Sequence, residues 1–496
     1  MILASALQRF LKDREGQGMC GEIAKLGAVV GLALTMASAA WARITPDEAA
    51  QLGLTGTPLT PVGAERAGNA DGSIPEWTGG IETPPATFKS GGPWVNPFPD
   101  DKPLFTITAQ NYAQYQDKLL PGQVAMFKQY PGSFRMHVYP TRRSASFPDF
   151  VYEATKRQAL AAELCPGWDT KGAVCLVNHV DGGGYPFPIP ENAFEVGWNH
   201  YLAYQGQAIE GFMNAPLIDA LGSRVDVIME QWQSYMWWVP AAERPTGEWF
   251  HRSGGPLLCD AFQIKQPPRQ SGLIGGGCNF AQEFDFQAYL YVPGQRRVRK
   301  APEIGFQDSP SFGSDGQRTV TSRWQWWFGG KESRHDLKLN GKKERFVPYN
   351  SYALAQENAT PEELFGRRHV NSDLIRYELH RVWELEATLR PSSRHLYKRV
   401  VSYMDEDTWH GMGHEAYDAR DRLWRMGEGY VLNLYDSRSM LIWGDQLVDL
   451  VNGRYTTFFG WYGNLGMGQP KVGLLKDSTL NAEIFTPQGM RKFGTR

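Results

Sequence analysis

The chain has 496 residues, and its 51 Lys and Arg residues nearly balance 53 Asp and Glu residues, giving a net charge of −2 at pH 7. This balance gives no electrostatic argument for nucleic-acid binding, so no nucleic-acid partner is expected. The length is sufficient for one large elaborated domain or two ordinary ones.

The N-terminal region has the residue order of a secretory signal peptide. A lysine precedes the apolar stretch Leu26–Met36, and small residues follow it up to Ala42. This order predicts a signal peptide over residues 1–42 with cleavage after Ala42. The apolar stretch is too short to span a bilayer, so no transmembrane span is expected after cleavage. A buried N-terminal helix is the alternative, and Met1 and Met19 both stay open as the true start.

Four cysteines follow the predicted signal peptide, at Cys165, Cys175, Cys259 and Cys278. An even number in an exported chain is typical of disulfides, and proximity in sequence favours Cys165 with Cys175 and Cys259 with Cys278. The two other connectivities stay open, and four free buried thiols are a further alternative.

Residues 43–105 are rich in proline and glycine, yet they contain Trp77 and Trp94. A solvated linker does not need large aromatic side chains, so the segment predicts an extended arm that packs on the body of the protein. Near its start, Thr45 and Pro46 predict the cap and first residue of a short helix. Residues 106–496 are interpreted as a single large domain.

Helix signals come first in this domain and strand signals follow. Capping residues and prolines predict helices over Thr108–Leu119, Pro121–Tyr130, Asp149–Leu164 and Glu191–Tyr204, with a later helical turn over Pro361–Phe365. Aromatic, β-branched or alternating residues predict strands over Arg224–Val239, Phe284–Val292 and Arg296–Lys300. Asn340 and Gly341 form the strongest short hairpin signal, between Leu337–Leu339 and Lys342–Val347.

From Ile375 to Tyr435 the chain predicts an up-and-down run of long antiparallel strands separated by polar turns. In the first of these strands, apolar residues from Tyr377 to Leu389 alternate with charged ones, as expected where only one face is buried. Strands of this length must twist and curl, so the sheet should have a concave side.

Three stretches resemble a known protein family: residues 44–80, residues 293–299 (Pro-Gly-Gln-Arg-Arg-Val-Arg) and residues 376–387 with the following 405–409. Together they resemble the bacterial family catalogued as domain of unknown function 1329, over nearly all of the chain after residue 42. This family is grouped with the LolA/LolB lipoprotein carriers, whose strongly curved antiparallel sheet is closed off by helices around a hydrophobic cavity.

The resemblance implies an α+β fold in which a LolA/LolB-like half-barrel is covered by helices. It also implies a periplasmic protein that binds or carries a lipid or other hydrophobic molecule. Peripheral association with the outer membrane would be compatible with this location. Lipoprotein sorting, or transfer of a ligand between an inner-membrane exporter and outer-membrane components, would be the corresponding role. The family offers no established catalytic residue, and the role rests on fold-level analogy.

Candidate ligand-contacting residues follow from this hypothesis. The expected lining of the cavity is Phe284, Phe286, Leu290, Trp324, Trp326, Tyr377, Leu379, Trp383 and Leu385. Arg296, Arg297 and Arg299 would contact anionic headgroups, or would serve only as a charged edge strand that prevents aggregation. The aromatic residues alone would favour a filled core over a cavity, and only the resemblance favours the cavity.

Other polar clusters predict no catalytic, metal or cofactor site. His410 and His414 lack a third ligand and are interpreted as surface histidines. The run Asp405-Glu406-Asp407 lacks the spacing of a calcium loop and is interpreted as a solvated turn. Two rival functions stay open: an envelope hydrolase or glycosidase, and a structural partner of an outer-membrane complex.

Overall fold

The computed structural model describes residues 44–165, 176–280, 286–301, 314, 316–318, 334–356, 358–458 and 469–494. The helices are α1 Pro46–Ala49, α2 Pro121–Gln129, α3 Asp149–Ala159, α4 Ala193–Tyr201, α5 Pro361–Leu364 and α6 Pro487–Gly494. The strands are β1 Phe105–Ile107, β2 Met136–Val138, β3 Glu163–Leu164, β4 Leu176–Val177, β5 Ala208–Asn214, β6 Leu217–Ile218, β7 Arg224–Val225, β8 Ile228–Ser234, β9 Pro256–Ile264, β10 Ile274–Phe280, β11 Phe286–Val292, β12 Arg297–Lys300, β13 His335–Pro348, β14 Arg376–Leu389, β15 Arg399–Asp405, β16 Gly411–Tyr417, β17 Leu423–Leu434, β18 Ser439–Asp449, β19 Tyr455–Thr456 and β20 Lys471–Gly473. None of the described helices is long and apolar enough to cross a membrane.

The fold is α+β, as predicted, and is dominated by a large curved sheet that does not close. This sheet has eleven strands, and the antiparallel meander β14 to β18 forms its centre. The long strand β14 pairs with β13 along one edge, and along its other edge first with β2 and then with β15. Irregular registers interrupt the pairs β13–β14, β15–β16, β16–β17 and β17–β18. Bulges of this kind increase the bend and twist of long strands, which explains the curvature.

A second sheet of seven strands runs in the order β12-β11-β10-β9-β8-β5-β20. Cys259 on β9 lies opposite Cys278 on β10, and the two form the predicted disulfide. Cys165 is also disulfide-bonded. Cys175 lies outside the described residues, so its pairing with Cys165 stays a prediction.

The described part of the arm lies against the body through its aromatic side chains. Trp77 is buried and its Nε1 donates to the carbonyl of Ala145 at 3.0 Å, while Trp94 donates to Asp436 at 2.8 Å. Gly80 has a φ of +74°, and a side chain there would lie 2.1 Å from the Ala145 carbonyl oxygen. The close approach of the arm therefore requires glycine at this position. The division of the chain at residue 105 stays a prediction.

Two local predictions were wrong because tertiary pairing overrode the local signal. Asn340 and Gly341 do not form a hairpin: β13 continues through them, and they lie in a bulge opposite β14, with Gly341 at a φ of +81°. Most of the segment predicted as a helix over Thr108–Leu119 is irregular, with only a short 3₁₀ helix at Tyr112–Tyr115. The helices predicted at Thr45, Pro121 and Pro361 are confirmed, and Thr45 accepts the capping hydrogen bond from Glu48.

Candidate functional site

One row of side chains crosses the centre of the large sheet from β13 to β18. In an antiparallel sheet, residues directly opposite one another place their side chains on the same face. Following the register strand by strand, the row consists of Leu339, Leu385, Ser402, His414, Gly427 and Leu447. We refer to these six residues as the central row.

The central row has leucines at its ends and a serine, a histidine and a glycine in its middle. Neighbouring rows on the same face add Ala387, Val400 and Ala416 on one side, and Trp383 and Met404 on the other. The serine, glycine and alanine residues leave little side-chain volume at the centre of this face, between larger Leu, Met and Trp side chains. Such a floor suits the contact surface of an apolar ligand.

Two polar side chains in the central row are buried without a partner. His414 is 1% exposed, and across the described residues neither its Nδ1 nor its Nε2 has a hydrogen-bond partner. The hydroxyl of Ser402, directly opposite on β15, also has none. Leaving a buried polar group unpaired costs about 1–3 kcal/mol, so such groups in a native fold call for a physical explanation.

The imidazole of His414 is neutral under ordinary conditions. Burial, together with the positive charges of Arg318 and Arg425, lowers the pKa of His414 to about 3. A neutral imidazole presents one N–H donor and one acceptor nitrogen. The central row can therefore both donate to and accept from a polar group that is brought against it.

Buried ion pairs limit the site on the side of β17 and β18. Arg318 bonds to Asp445 at 2.6 Å, with both side chains fully buried, and Arg425 lies 3.5 Å from Asp449. These charges already have partners. Within the central row, the polar side chains without a hydrogen-bond partner among the described residues are those of His414 and Ser402.

The opposite face of the same strands is filled by protein. Glu415, the neighbour of His414, points to that face and accepts a hydrogen bond at 2.6 Å from the backbone N–H of Gly122 in α2. Gln123 of α2 donates to Glu428 of β17 at 2.9 Å. Helix α2 therefore covers this face, whereas Ser402 and His414 lie on the other face.

The predicted cavity residues fall in different parts of the molecule. Leu385 belongs to the central row and Trp383 lies beside it, whereas Tyr377 and Leu379 lie at the start of β14. There Tyr377 is fully buried and its hydroxyl donates to Glu428 at 3.0 Å, within the packed region under α2.

The remaining predicted residues belong elsewhere. Leu290 is half-buried on β11 of the seven-stranded sheet, and Phe286 is the first residue of that strand. Phe284, Trp324 and Trp326 lie outside the described residues. Arg296, Arg297 and Arg299 are exposed at the turn into β12, an edge strand, so headgroup contact and edge protection both stay open for them.

The turn Asp405-Glu406-Asp407 is not solvated, contrary to prediction. All three side chains are buried, because charged residues distant in sequence surround them. Arg143 donates to both oxygens of Asp407, at 2.6 and 2.9 Å. Lys342 bonds to Glu406 at 2.9 Å.

His380 adds a third kind of group to this buried cluster. Potential ligand atoms of His380, Asp405 and Asp407 all lie within 4.8 Å of one another, so these three residues are the metal-ligand grouping found among the described residues. His380 Nε2 is 3.2 Å from Glu378, and its Nδ1 is 3.6 Å from Asp405.

The electrostatics of the cluster favour a charge network over a metal centre. Burial raises the pKa of Asp405 to about 7. Burial alone would lower the pKa of His380, but its bond to Glu378 and the charge of Asp405 raise it. Since Arg143 already occupies both oxygens of Asp407, we interpret the cluster as an ionic network within the fold.

His410 and His414 are both 1% exposed, so the prediction of surface histidines was wrong. His410 Nε2 bonds to the carbonyl of Met440 at 2.8 Å, and burial lowers the pKa of His410 to about 4. The two residues therefore differ: His410 has a partner, and His414 does not.

Comparison with known proteins identifies the family. The family model described as "Protein of unknown function (DUF1329)" matches residues 106–491. An uncharacterized protein, PA3922, of Pseudomonas aeruginosa is 38% identical over 472 residues, which cover 94% of this chain and 98% of that protein. The chain belongs to the DUF1329 family.

Solved structures similar to this DUF1329 protein include two distant ones. A DUF1329 family protein from Desulfovibrio piger is 12% identical, with 60% of this chain and 96% of that chain covered and a TM-score of 0.38. A LolA superfamily protein from Nitrosomonas europaea is 10% identical, with 60% and 98% covered and a TM-score of 0.33.

Sequence reasoning missed the polar part of this DUF1329 site. From the sequence, His414 is interpreted only together with His410, as a surface histidine, and Ser402 is not considered, because neither residue type signals burial. A signal was nevertheless present. Ser402 lies two residues after the apolar Val400, and His414 lies two residues before the apolar Ala416, so the alternation along each strand places both polar residues on the apolar face.

Proposed function

We propose that this DUF1329 protein is a periplasmic binding or carrier protein for a lipid or other hydrophobic molecule that also bears a polar group, and that it performs no covalent chemistry. The observation that carries the proposal is the pair of buried, unpartnered polar side chains, His414 and Ser402, at the centre of an apolar sheet face.

The apolar part of the ligand would supply most of the binding free energy. Burial of apolar surface is worth about 25 cal/mol per Å², and it is not directional. A site built on Leu, Met and Trp side chains should therefore accept many chain lengths and shapes.

The polar groups would supply the selectivity. A ligand with a hydroxyl, carbonyl or carboxylic acid group can bond to the neutral imidazole of His414 and to the hydroxyl of Ser402. A pure hydrocarbon would leave both groups unpaired, which costs about 1–3 kcal/mol for each. We therefore expect fatty acids, monoglycerides or sterol-like alcohols to bind better than alkanes of equal size.

An envelope location has two independent supports. The residue order up to Ala42 predicts export. The disulfide between Cys259 and Cys278 is typical of proteins in oxidising compartments such as the periplasm. Transfer between an inner-membrane exporter and the outer membrane is the corresponding role within this proposal.

The test is native mass spectrometry of the protein purified from a Gram-negative periplasm, followed by analysis of the extracted lipid. Ser402→Met places a longer side chain on the floor of the central row and should reduce bound lipid about tenfold or more, which corresponds to 1.4 kcal/mol. Val401→Met is the matched control, because Val401 is the buried neighbour of Ser402 and points to the opposite face.

Equal lipid loading of the two variants would contradict the placement of the ligand on the central row. A wild-type protein that carries no lipid and takes up none from mixed micelles would contradict the carrier function itself.

A further inference from the structure

A pocket of about 420 Å³, lined mostly by polar and charged residues, shares no residue with the central row. One wall is the turn after α2, with Ser133 and Arg135, and the other is the loop between α5 and β14, with Arg367, Arg368 and His369. This volume lies in the range of small-molecule sites and exceeds what a single inorganic ion needs.

The acidic groups at the pocket are already engaged. Glu362 bonds to Arg224 at 2.7 Å, and Glu363 caps the N-terminus of α5 by accepting from the Thr360 N–H at 2.8 Å. Arg135 forms a two-pronged pair with Asp373 outside the pocket lining. Glu362 is thus paired with a cation, whereas Glu363 keeps its negative charge and offsets one of the remaining cations of the pocket.

Arg367 and Arg368 provide the uncompensated charge. Across the part of the chain that the structure describes, neither guanidinium forms an ion pair or a hydrogen bond. His369 adds no charge: its Nδ1 lies 2.7 Å from the Val370 carbonyl and its Nε2 lies 2.9 Å from the Ser133 hydroxyl. Burial lowers the pKa of His369 below its usual value, and the bond to the Val370 carbonyl opposes this only in part. The pocket therefore carries a net positive charge.

Arg367 and Arg368 each pass close to a glycine. A side chain at Gly222 would lie 2.4 Å from Cγ of Arg367, so the stem of Arg367 packs directly on this glycine. A Cβ added at Gly453 would lie 3.3 Å from Nη1 of Arg368 and 3.9 Å from the hydroxyl of Tyr130. That hydroxyl is buried and has no hydrogen-bond partner among the residues that the structure describes. The guanidinium of Arg368 and the phenol of Tyr130 both lie near Gly453, and of the two only Arg368 lines the pocket.

We propose that this pocket binds a small organic anion through a phosphate or carboxylate group held by Arg367 and Arg368. The planar fork of a guanidinium matches the geometry of both oxyanions and bonds to them in pairs. The same chemistry can come from a free organic phosphate or from the headgroup of an anionic lipid. This site does not depend on the hydrophobic ligand of the central row.

The experiment uses two probes with the full-length purified protein. Isothermal titration with glycerol 3-phosphate measures a free anion, and co-sedimentation with phosphatidylglycerol vesicles, against phosphatidylcholine vesicles, measures a headgroup. The variant Arg367→Gln/Arg368→Gln should weaken binding of the effective probe roughly 10- to 100-fold, as expected for lost hydrogen bonds to a charged group.

The control is Arg394→Gln/Arg420→Gln, which removes two exposed arginines that also form no ion pair among the described side chains. Arg367→Lys/Arg368→Lys keeps the charge but loses the forked geometry, and should show an intermediate loss. If the pocket variant loses binding of glycerol 3-phosphate and the control variant keeps it, the ligand is a free anion. If the same difference is seen for phosphatidylglycerol vesicles, the ligand is a lipid headgroup. Binding of neither probe, or equal loss in the pocket and control variants, would overturn the proposal.

Discussion

Replacement of His414 by leucine should make the ligand-free protein more stable, which is unusual for a buried residue. His414 is 1% exposed and both ring nitrogens lack partners, so the wild-type fold carries an unpaired polar group that costs about 1–3 kcal/mol. The change in side-chain shape would cost less than about 1.5 kcal/mol. We therefore expect His414→Leu to raise the free energy of unfolding by about 1 kcal/mol at pH 8.

The matched control is His410→Leu, because His410 is equally buried but has a partner. Its Nε2 bonds to the Met440 carbonyl at 2.8 Å, so its removal leaves that carbonyl unpaired. We expect this variant to lose about 1–3 kcal/mol. Urea unfolding followed by tryptophan fluorescence, on protein freed of lipid, measures both changes.

The pH dependence gives a second readout of His414. Burial lowers the pKa of His414 to about 3 in the folded protein, from an ordinary value of 6.5, so the unfolded chain binds the proton at higher pH than the folded protein does. Wild-type stability should therefore fall as the pH decreases from about 6.5 towards 3, with a contribution from this residue of about 1.4 kcal/mol per pH unit. His414→Leu should remove that contribution.

Two results would refute this reasoning about the central row. One is that His414→Leu and His410→Leu destabilise the protein by the same amount at pH 8. The other is that His414→Leu leaves the acid limb of the stability curve unchanged. Either result would mean that the imidazole of His414 has a partner in the ligand-free protein.

Three further predictions concern other buried groups. Burial raises the pKa of Glu415 to about 7, so the folded protein binds this proton more tightly than the unfolded chain does, and stability falls as the pH rises from 4.5 to 7. Glu415→Gln should therefore raise the free energy of unfolding by about 2–3 kcal/mol at pH 8 and change it little at pH 4.5. An equal loss of stability at both pH values would contradict this. Replacing Cys259 and Cys278 together by serine should lower the free energy of unfolding by about 3 kcal/mol, measured against wild type without reductant, and an unchanged urea midpoint would argue against a stabilising disulfide. Arg143→Met leaves the Asp407 carboxylate buried without its main partner and should lower the free energy of unfolding by about 3–5 kcal/mol. The double variant Arg143→Met/Asp407→Leu should recover most of this loss. Thermal unfolding measures both variants, and an unchanged stability of Arg143→Met would contradict the prediction.

Local patterns were sufficient where neighbouring residues decide the structure. The alternation after Ile375 predicted a meander up to Tyr435, and the antiparallel strands β14 to β17 confirm it. Capping residues predicted α1 and α5, because a cap acts within a single helical turn. Cys259 and Cys278 were paired correctly, because a short connection places their strands side by side.

Local patterns failed where a distant segment decides the environment. Asn340 and Gly341 favour a hairpin in isolation, but β14 offers a partner along the full length of β13, and continuous pairing gains more hydrogen bonds than a turn. Asp405 and Asp407 read as a solvated turn, since nothing nearby in sequence neutralises them. Arg143, which bonds to Asp407, is 264 residues away.

The sequence by itself determined several elements of this DUF1329 protein: the meander strands β14 to β17 and their order, the capped helices α1 and α5, and one disulfide. Tertiary structure alone decided which polar groups are buried, and which of those have partners. The physical reason is the range of the two effects. Periodicity, capping and turn preference act over a few residues, whereas burial and hydrogen-bond satisfaction depend on which distant segments meet. His410 and His414, four positions apart and equally buried, differ only in what the rest of the fold brings to their ring nitrogens.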